Sequence, residues 1–411
     1  MTDRKPRCAI SKVSAVLPDK LREIIDWLSD GARSAPTPSR MMAECCERLV
    51  AAGLPLYRVG IFIRTLHPEI FGRNFIWRPE TGVVLSSVDF DIQEAPEFLS
   101  SPLALVFREG VEVRSRLHEP STTPFPFFDD MRAEGVTDYI AIPLTFVDNM
   151  LHASSWTTKQ PGGFTDEQLA ALKTVLPTLA RLIEVIGIRR VTVTLLDTYV
   201  GNRAGGRILG GQIRRGHTET MRAAIWLSDL RGFTALSDRL PPESVVEILN
   251  RYFDCQVPAI LKHGGEVLKF MGDGLLAVFP IAEDDADRST VCGHALEAAR
   301  EASTAVEALR WSDAAGTEER FRFGLALHVG KVLYGNIGGG NRLDFTCIGP
   351  AVNLAARLEK IAGRMHRTVV ASATFADATT TDWTDLGEFP IAGFARAERV
   401  YGLADEGAVA G

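Results

Sequence analysis

The chain has no apolar run approaching the ~20 residues that a helix needs to cross a bilayer. Its most hydrophobic long segment, "LKTVLPTLARLIEVIGIRRVTVTLL", is interrupted by Arg181, Glu184, Arg189 and Arg190, so a soluble protein with no membrane partner is expected. The N-terminus, "MTDRKPRCAISKVSAVLPDK", carries charge without a sustained apolar core, and no secretory leader is read there. Cysteine is scarce: Cys8, Cys45, Cys46, Cys255, Cys292 and Cys347 make up all six, with no metal-ligand spacing. Cys45 and Cys46 are adjacent in a helical pattern and are expected to pack rather than bridge, which fits a reduced, cytoplasmic setting. A basic excess is lacking as well. The 45 Lys and Arg against 52 Asp and Glu leave a net charge of −7, which argues against nucleic acid as a partner.

What is present suffices for two domains and a linker: 411 residues, 46% apolar and 24% charged. Residues 1–34 read as an N-terminal helical segment, with amphipathic helices over 19–31 and 37–53. Gly53 and Pro55 end the second of these. Strand-like runs follow in "LYRVGIFIRTL", "RNFIWRP", "TGVVLSSVDF", "GVTDYIAIPLTF" and "LHASSWTTK", separated by Pro-rich and charged loops, notably 118–127. From 164 the pattern turns helical, with Thr165 as cap and Gln168 three residues on. This order, closing on "GFTDEQLAALKTVLPTLARLIE", is similar to a GAF/PAS-type α+β sensor domain over 35–190. His67, His118 and His152 are isolated and read as satisfied or exposed histidines rather than metal ligands. "PFPFF" at 124–128 reads as loop packing. Residues 191–220, rich in Gly and Arg, read as a linker or a signalling hinge.

The C-terminal half opens as βαββ. "AAIWLSD" (223–229) is an apolar run ending in Asp, as in a strand buried on both faces. "PPESVVEILNRYFDCQVPAILKHGG" reads as a helix, and "EVLKFMGDGLLAVF" as a hairpin tipped by Asp273 between two glycines. Further on come a helix around 289–308, the strand "RFGLALHVG" and the helix "PAVNLAARLEKIAG". Alone, "GDG" is an ordinary hairpin turn. In an α/β sheet, however, the end of strand 223–229 can lie beside that tip, which would make Asp229 and Asp273 neighbours. Like charges at ~4 Å repel by about 4 kcal/mol at an effective dielectric near 20, so such a pair calls for a cation or a raised pKa. Two hard carboxylates suit Mg²⁺, which fills its shell with water and substrate phosphate. Gly232, Phe233 and Thr234, next in "LRGFTALSD", would offer backbone N–H groups to phosphates. Metal ligands beside an anion cradle imply a nucleoside triphosphate.

"LSDLRGFTALSD", "GGEVLKFMGDGLLAVF" and "FTCIGPAVNLAARLEKI" together resemble the class III adenylate/guanylate cyclase catalytic domain over about 221–405. That resemblance implies a ferredoxin-like βαββαβ fold and an active site shared by two copies, hence a homodimer. It implies two ions per site, Mg²⁺ or Mn²⁺, on Asp229, Asp273 and the Leu230 carbonyl. It further implies Lys269 reading adenine with Thr346 as its partner, in a Thr-type bacterial subgroup to which bicarbonate activation attaches. Asn353 and Arg357 would orient the ribose and stabilise charge on the α-phosphate. Their spacing of four puts both on one helix face, while Leu354, Leu358 and Ile361 turn toward the core. Arg322 reads equally as a phosphate contact or a core-rim arginine. At the position of the family's triphosphate-binding lysine stands Ala392, with Arg396 or Arg399 as substitutes.

The implied reaction converts ATP to 3′,5′-cyclic AMP and pyrophosphate, regulated by a small-molecule effector at the sensor domain. Lys269 argues against a guanylate cyclase, since guanine-specific members place Glu there. "FMGDGLL" is not the "GGDEF"-like turn of a diguanylate cyclase. A catalytically dead nucleotide-binding regulator is the alternative of another class.

Overall fold

Thr37 opens the helix Pro38–Ala51 by accepting from the Arg40 N–H, and Gly53, at φ +100°, turns the chain out of it. A computed structural model of the chain describes residues 15–117, 125–312, 318–340, 342–404 and 406. Cys8, His118 and Pro124 lie outside the described residues, as does most of the loop 118–127. The chain divides into two compact units, Met1–Leu195 and Leu196–Gly411.

In the first unit, strands β1 (Arg58–Arg64), β2 (Gly72–Arg78), β3 (Gly82–Val88), β4 (Val113–Arg116), β5 (Asp138–Thr145) and β6 (Leu151–Thr158) form one sheet. Its order is β3-β2-β1-β6-β5-β4, with every pair antiparallel. Alternation sends Val59, Ile61, Ile140, Ile142 and Trp156 to one face, against the helices Pro18–Ser29 and Pro38–Ala51 and the long helix Asp166–Val200. Phe62, Tyr139, Ala141 and Ala153 face the other way, onto helices Pro102–Glu109 and Phe127–Ala133. Strand β4 and these two helices were not anticipated, being too short for a clear period. Phe128, expected in a loop, is fully buried within the second of them. The residues 191–200, expected in a linker, continue the helix that starts at Asp166. A second helix, Asn202–Leu209, follows and stops at Gly210.

The second unit is built on β7 (Thr218–Leu230), β8 (Glu266–Met271), β9 (Gly274–Ile281), the small hairpin β10 (Arg310–Ser312) and β11 (Glu318–Arg320), and β12 (Phe323–Gly339). Strands β13 (Arg342–Ile348), β14 (Val369–Ser372), β15 (Trp383–Phe389) and β16 (Glu398–Leu403) complete it. The sheet runs β15-β16-β14-β12-β7-β9-β8, with β13 paired to β12. The four strands of the anticipated βαββαβ thus stand in the order fourth, first, third, second. All three of their pairings are antiparallel.

Strand β7 lies between β12 and β9 and is buried on both faces. Ala224 and Trp226 pack toward the helices Pro242–Asp254 and Arg288–Ala308, while Ala223, Ile225 and Leu227 pack toward Asn202–Leu209 and Pro350–Arg364. The single helix expected over 241–265 is two, Pro242–Asp254 and Val257–Lys262. Pro258 has no N–H to carry the ladder across the junction.

Thr165 and Gln168 form the expected capping box. The Thr165 N–H donates to Gln168 Oε1 at 3.0 Å, and the Gln168 N–H to Thr165 Oγ1 at 3.2 Å. Thr165→Ala should lower the stability of the N-terminal unit by about 1 kcal/mol, seen as a lower urea midpoint with an unchanged slope.

Candidate active site

The end of β7 and the tip of the β8–β9 hairpin meet through backbone register. Asp229 pairs with Gly274, and Met271 pairs with Gly274 across the two-residue turn Gly272–Asp273. Gly272, at φ +70°, takes the left-handed conformation that the turn demands. The next residue, Asp273, is thereby set beside Asp229. The two carboxyls interact directly. Burial, then the charge of Asp273, then that of Glu359 raise the Asp229 pKa to about 7, with Arg231 opposing. Beneath the pair, the buried Ser228 hydroxyl donates to Gln256 Oε1 at 2.6 Å and so fixes the strand end.

Two residues that sequence reasoning missed hold this corner. The Arg231 guanidinium lies 2.6 Å from the nearly buried carboxylate of Glu359 and also donates to the Glu359 carbonyl at 3.2 Å. It passes directly over Gly324, where a Cβ would run into its Nη2. Burial raises the Glu359 pKa, while Arg231 holds it down. Arg231 therefore keeps Glu359 from acting as a third uncompensated charge. The legible signal was only the adjacency of Arg231 to Asp229.

Around the pair, Gly232 takes φ +75° and leads into the helix Phe233–Arg239, so Phe233 and Thr234 occupy a helix start. Leu230 pairs with Phe323, which sets the exposed Arg322 at the same sheet end. Among the described residues no group of three or more His, Cys, Asp or Glu side chains gathers to hold a metal. Two carboxylates in mutual repulsion, with a backbone carbonyl alongside, are nevertheless a donor set that fits a hard divalent ion retaining water.

A second cluster forms where β13 approaches β8. Lys269 Nζ donates to Asp344 Oδ2 at 2.6 Å, both side chains being about half exposed. The Lys269 bond, and then its charge, holds the Asp344 carboxyl below the usual range. Thr346 lies two residues from Asp344 on β13, hence on the same face, while Phe345 and Cys347 are buried on the other. Asp344 is a further residue that sequence reasoning missed.

On the helix Pro350–Arg364, Asn353 and Arg357 are exposed, and Leu354, Leu358 and Ile361 are buried as expected. Neither polar side chain makes a hydrogen bond or ion pair among the described residues. Glu359, on that helix, reaches Arg231 beside the aspartates. At ~100° per residue, Arg357 lies on the opposite side of the helix, so one copy of the chain does not aim Asn353 and Arg357 at the aspartate pair. Ala392 is exposed. Arg399 is engaged with Asp385 at 3.2 Å, whereas Arg396 has no such partner among the described residues.

Residues 217–403 match the adenylate and guanylate cyclase catalytic domain. That match falls within the C-terminal unit, which thus resembles this catalytic domain. The chain is 30% identical over 172 residues to the terminal-differentiation-specific adenylate cyclase of Dictyostelium discoideum, covering 41% of this chain and 7% of that protein. With an adenylate cyclase of Anabaena cylindrica it shares 34% over 151 residues, 36% of this chain and 28% of the relative. A solved bacterial light-regulated adenylyl cyclase is 27% identical, with 45% of this chain and 91% of that one covered at a TM-score of 0.39. The cyclase segment thus spans only 7% and 28% of the two curated relatives. No helix among the described residues is long and apolar enough to cross a membrane.

The raised Asp229 pKa fixes a sign. In the folded, metal-free protein Asp229 holds its proton up to about pH 7, whereas the unfolded chain releases it near pH ~4. Folding therefore loses stability as pH rises between those values. Asp229→Asn should stabilise the protein in EDTA at pH 7.5, with the gain shrinking toward pH 5. Urea midpoints at the two pH values measure it.

Proposed function

We propose that this protein is an adenylate cyclase, converting ATP to 3′,5′-cyclic AMP and pyrophosphate at sites shared between two copies of the chain. The observation that carries the reading is the forced contact of Asp229 with Asp273 at the mouth of the central strand. A fold that keeps two carboxylates together at such cost has a cation to receive.

Asp229, Asp273 and the Leu230 carbonyl would hold the divalent ions, Mg²⁺ or Mn²⁺. Bound there, the ions would supply positive charge to the ribose 3′-oxygen and to the triphosphate. The N–H groups of Phe233 and Thr234, after the turn at Gly232, face substrate phosphate with Arg322 as a nearby cation, and Arg396 stands in for the family's triphosphate-binding lysine. Asn353 orients the ribose. Arg357 meets the charge that grows on the α-phosphate as the 3′-oxygen attacks in line, forming the new O–P bond while pyrophosphate departs.

Adenine is favoured by Lys269, a donor suited to the acceptor nitrogen of adenine and not to the donors of guanine. Asp344 holds that ammonium in place, and Thr346 on the same face supplies the partner hydroxyl. The homodimer reading rests on Arg357 and Glu359 lying on opposite sides of one helix. If Glu359 faces the aspartates of its own chain, Asn353 and Arg357 are free for the aspartates of a second. The N-terminal unit, an antiparallel sheet with helices on both faces, is read as a GAF-like effector module. In this reading its ligand state changes how the two catalytic units close.

Purified protein with Mn²⁺ should turn over ATP well ahead of GTP. Asp273→Ala should reduce cyclic AMP formation at least about a thousandfold. No product from ATP, together with unchanged ATP affinity in Asp273→Ala, would instead mark a nucleotide-binding regulator. Mixing inactive Asp229→Ala with inactive Arg357→Ala protein should restore activity toward about a quarter of wild type, because half of random dimers then hold one intact site. No recovery on mixing would exclude the shared site.

A further inference from the structure

The N-terminal unit contains a cavity of about 580 Å³ between the helix Pro38–Ala51, the segment 179–192 of the long helix and the β1–β2–β6 face of the sheet. That size is in the range of small-molecule sites. Its walls are apolar, with Met42, Cys46, Ile61, Phe75, Trp156 and Ile183 among them.

The polar groups at the lining divide sharply. His152 accepts the Arg64 N–H on Nδ1 at 3.1 Å and stacks on Phe146. Burial lowers its pKa to about 4, so the ring is neutral and carries its proton on Nε2. Of the two carboxylates, Glu184 is paired with Arg181 at 2.5 Å and accepts the Val147 N–H at 2.7 Å, while the exposed Asp148 accepts only the Met150 N–H at 2.9 Å. Arg64 rests over the Phe71 ring. Arg73 and Arg190 also line the cavity, yet neither makes a hydrogen bond or ion pair among the described residues. They lie close enough for the charge of Arg190, added to burial, to push the Arg73 guanidinium below its ordinary pKa.

The half-buried Arg73 and the exposed Arg190 thus repel each other at the mouth of an apolar hollow, and no ion pair among the described residues meets their charge. We propose that this cavity binds an amphipathic organic anion, its hydrocarbon part against the apolar walls and its anionic head held by Arg73 and Arg190. Guanidinium pairs match planar carboxylates in geometry as well as sign. A neutral or cationic molecule of the same shape would leave the repulsion unrelieved.

The proposal deepens the reading of this unit as an effector module. Binding is measured directly, so a failure to form cyclic AMP would leave the result standing, and the converse. Titration calorimetry on the full chain, with decanoate, decanol and decyltrimethylammonium below their micelle concentrations, tests it. Decanoate should bind at least about tenfold more tightly than decanol, and decyltrimethylammonium least. In the Arg73→Gln/Arg190→Gln double variant that preference should vanish while decanol binding persists, which also reports an intact pocket. Ile183→Trp, which fills the hollow, should abolish uptake of both. Equal affinities for the three probes, or a preference for decanoate that survives the double variant, overturns the proposal. So does an absence of binding with an oligomeric state altered by Ile183→Trp, which would assign the hollow to a second copy of the chain.

Discussion

Repulsion between two carboxylates organises the C-terminal unit. Asp229 is carried to the sheet end by a strand buried on both faces, and Asp273 by a two-residue turn whose glycine alone accepts the required backbone angle. Neither can retreat, because β7 is paired along its length with β12 and β9. Packing energy from the surrounding core is thus spent in holding like charges together. Without a counter-ion the pair answers by keeping a proton, which is the physical meaning of an Asp229 pKa near 7.

The surrounding charges follow from that constraint. Glu359 would add a third negative group, and Arg231 neutralises it from the same strand end. Lys269 and Asp344 form a separate, more exposed pair, where water screens the attraction and the ammonium stays available. Asn353 and Arg357, by contrast, are held by nothing among the described residues. Groups engaged within the chain and groups left open thus sort by helix face.

Much of this was legible before any coordinates. The run "AAIWLSD", the "GDG" tip and the spacing of Asn353 and Arg357 each follow from short-range rules, namely apolar continuity, turn chemistry and helical period. The capping box of Thr165 and Gln168 was equally local. What escaped were partnerships between distant positions. Arg231 meets Glu359 across 128 residues, and Lys269 meets Asp344 across 75; no periodicity encodes either. The split of the 241–265 helix was missed because apolar spacing continues across a break that Pro258 imposes through a missing donor. Strand β4 was missed because "VRSR" is too short and too polar to stand out. The cavity beside Arg73 and Arg190 was invisible for the same reason, since it is a shape made by a sheet and two helices that are far apart in the chain.

The close approach of Arg231 to Gly324 has a wider implication. Position 324 carries no charge and lies 95 residues from Asp229 along the chain, yet the two are direct cross-strand partners. Even an alanine methyl there would meet the guanidinium, which would have to shift from its place beside Glu359. The counter-charge of Glu359 would then move, and the electrostatics of that sheet end would change without any titratable group having been altered. Harm of that kind would be read as a packing defect, although its origin is a displaced counter-charge.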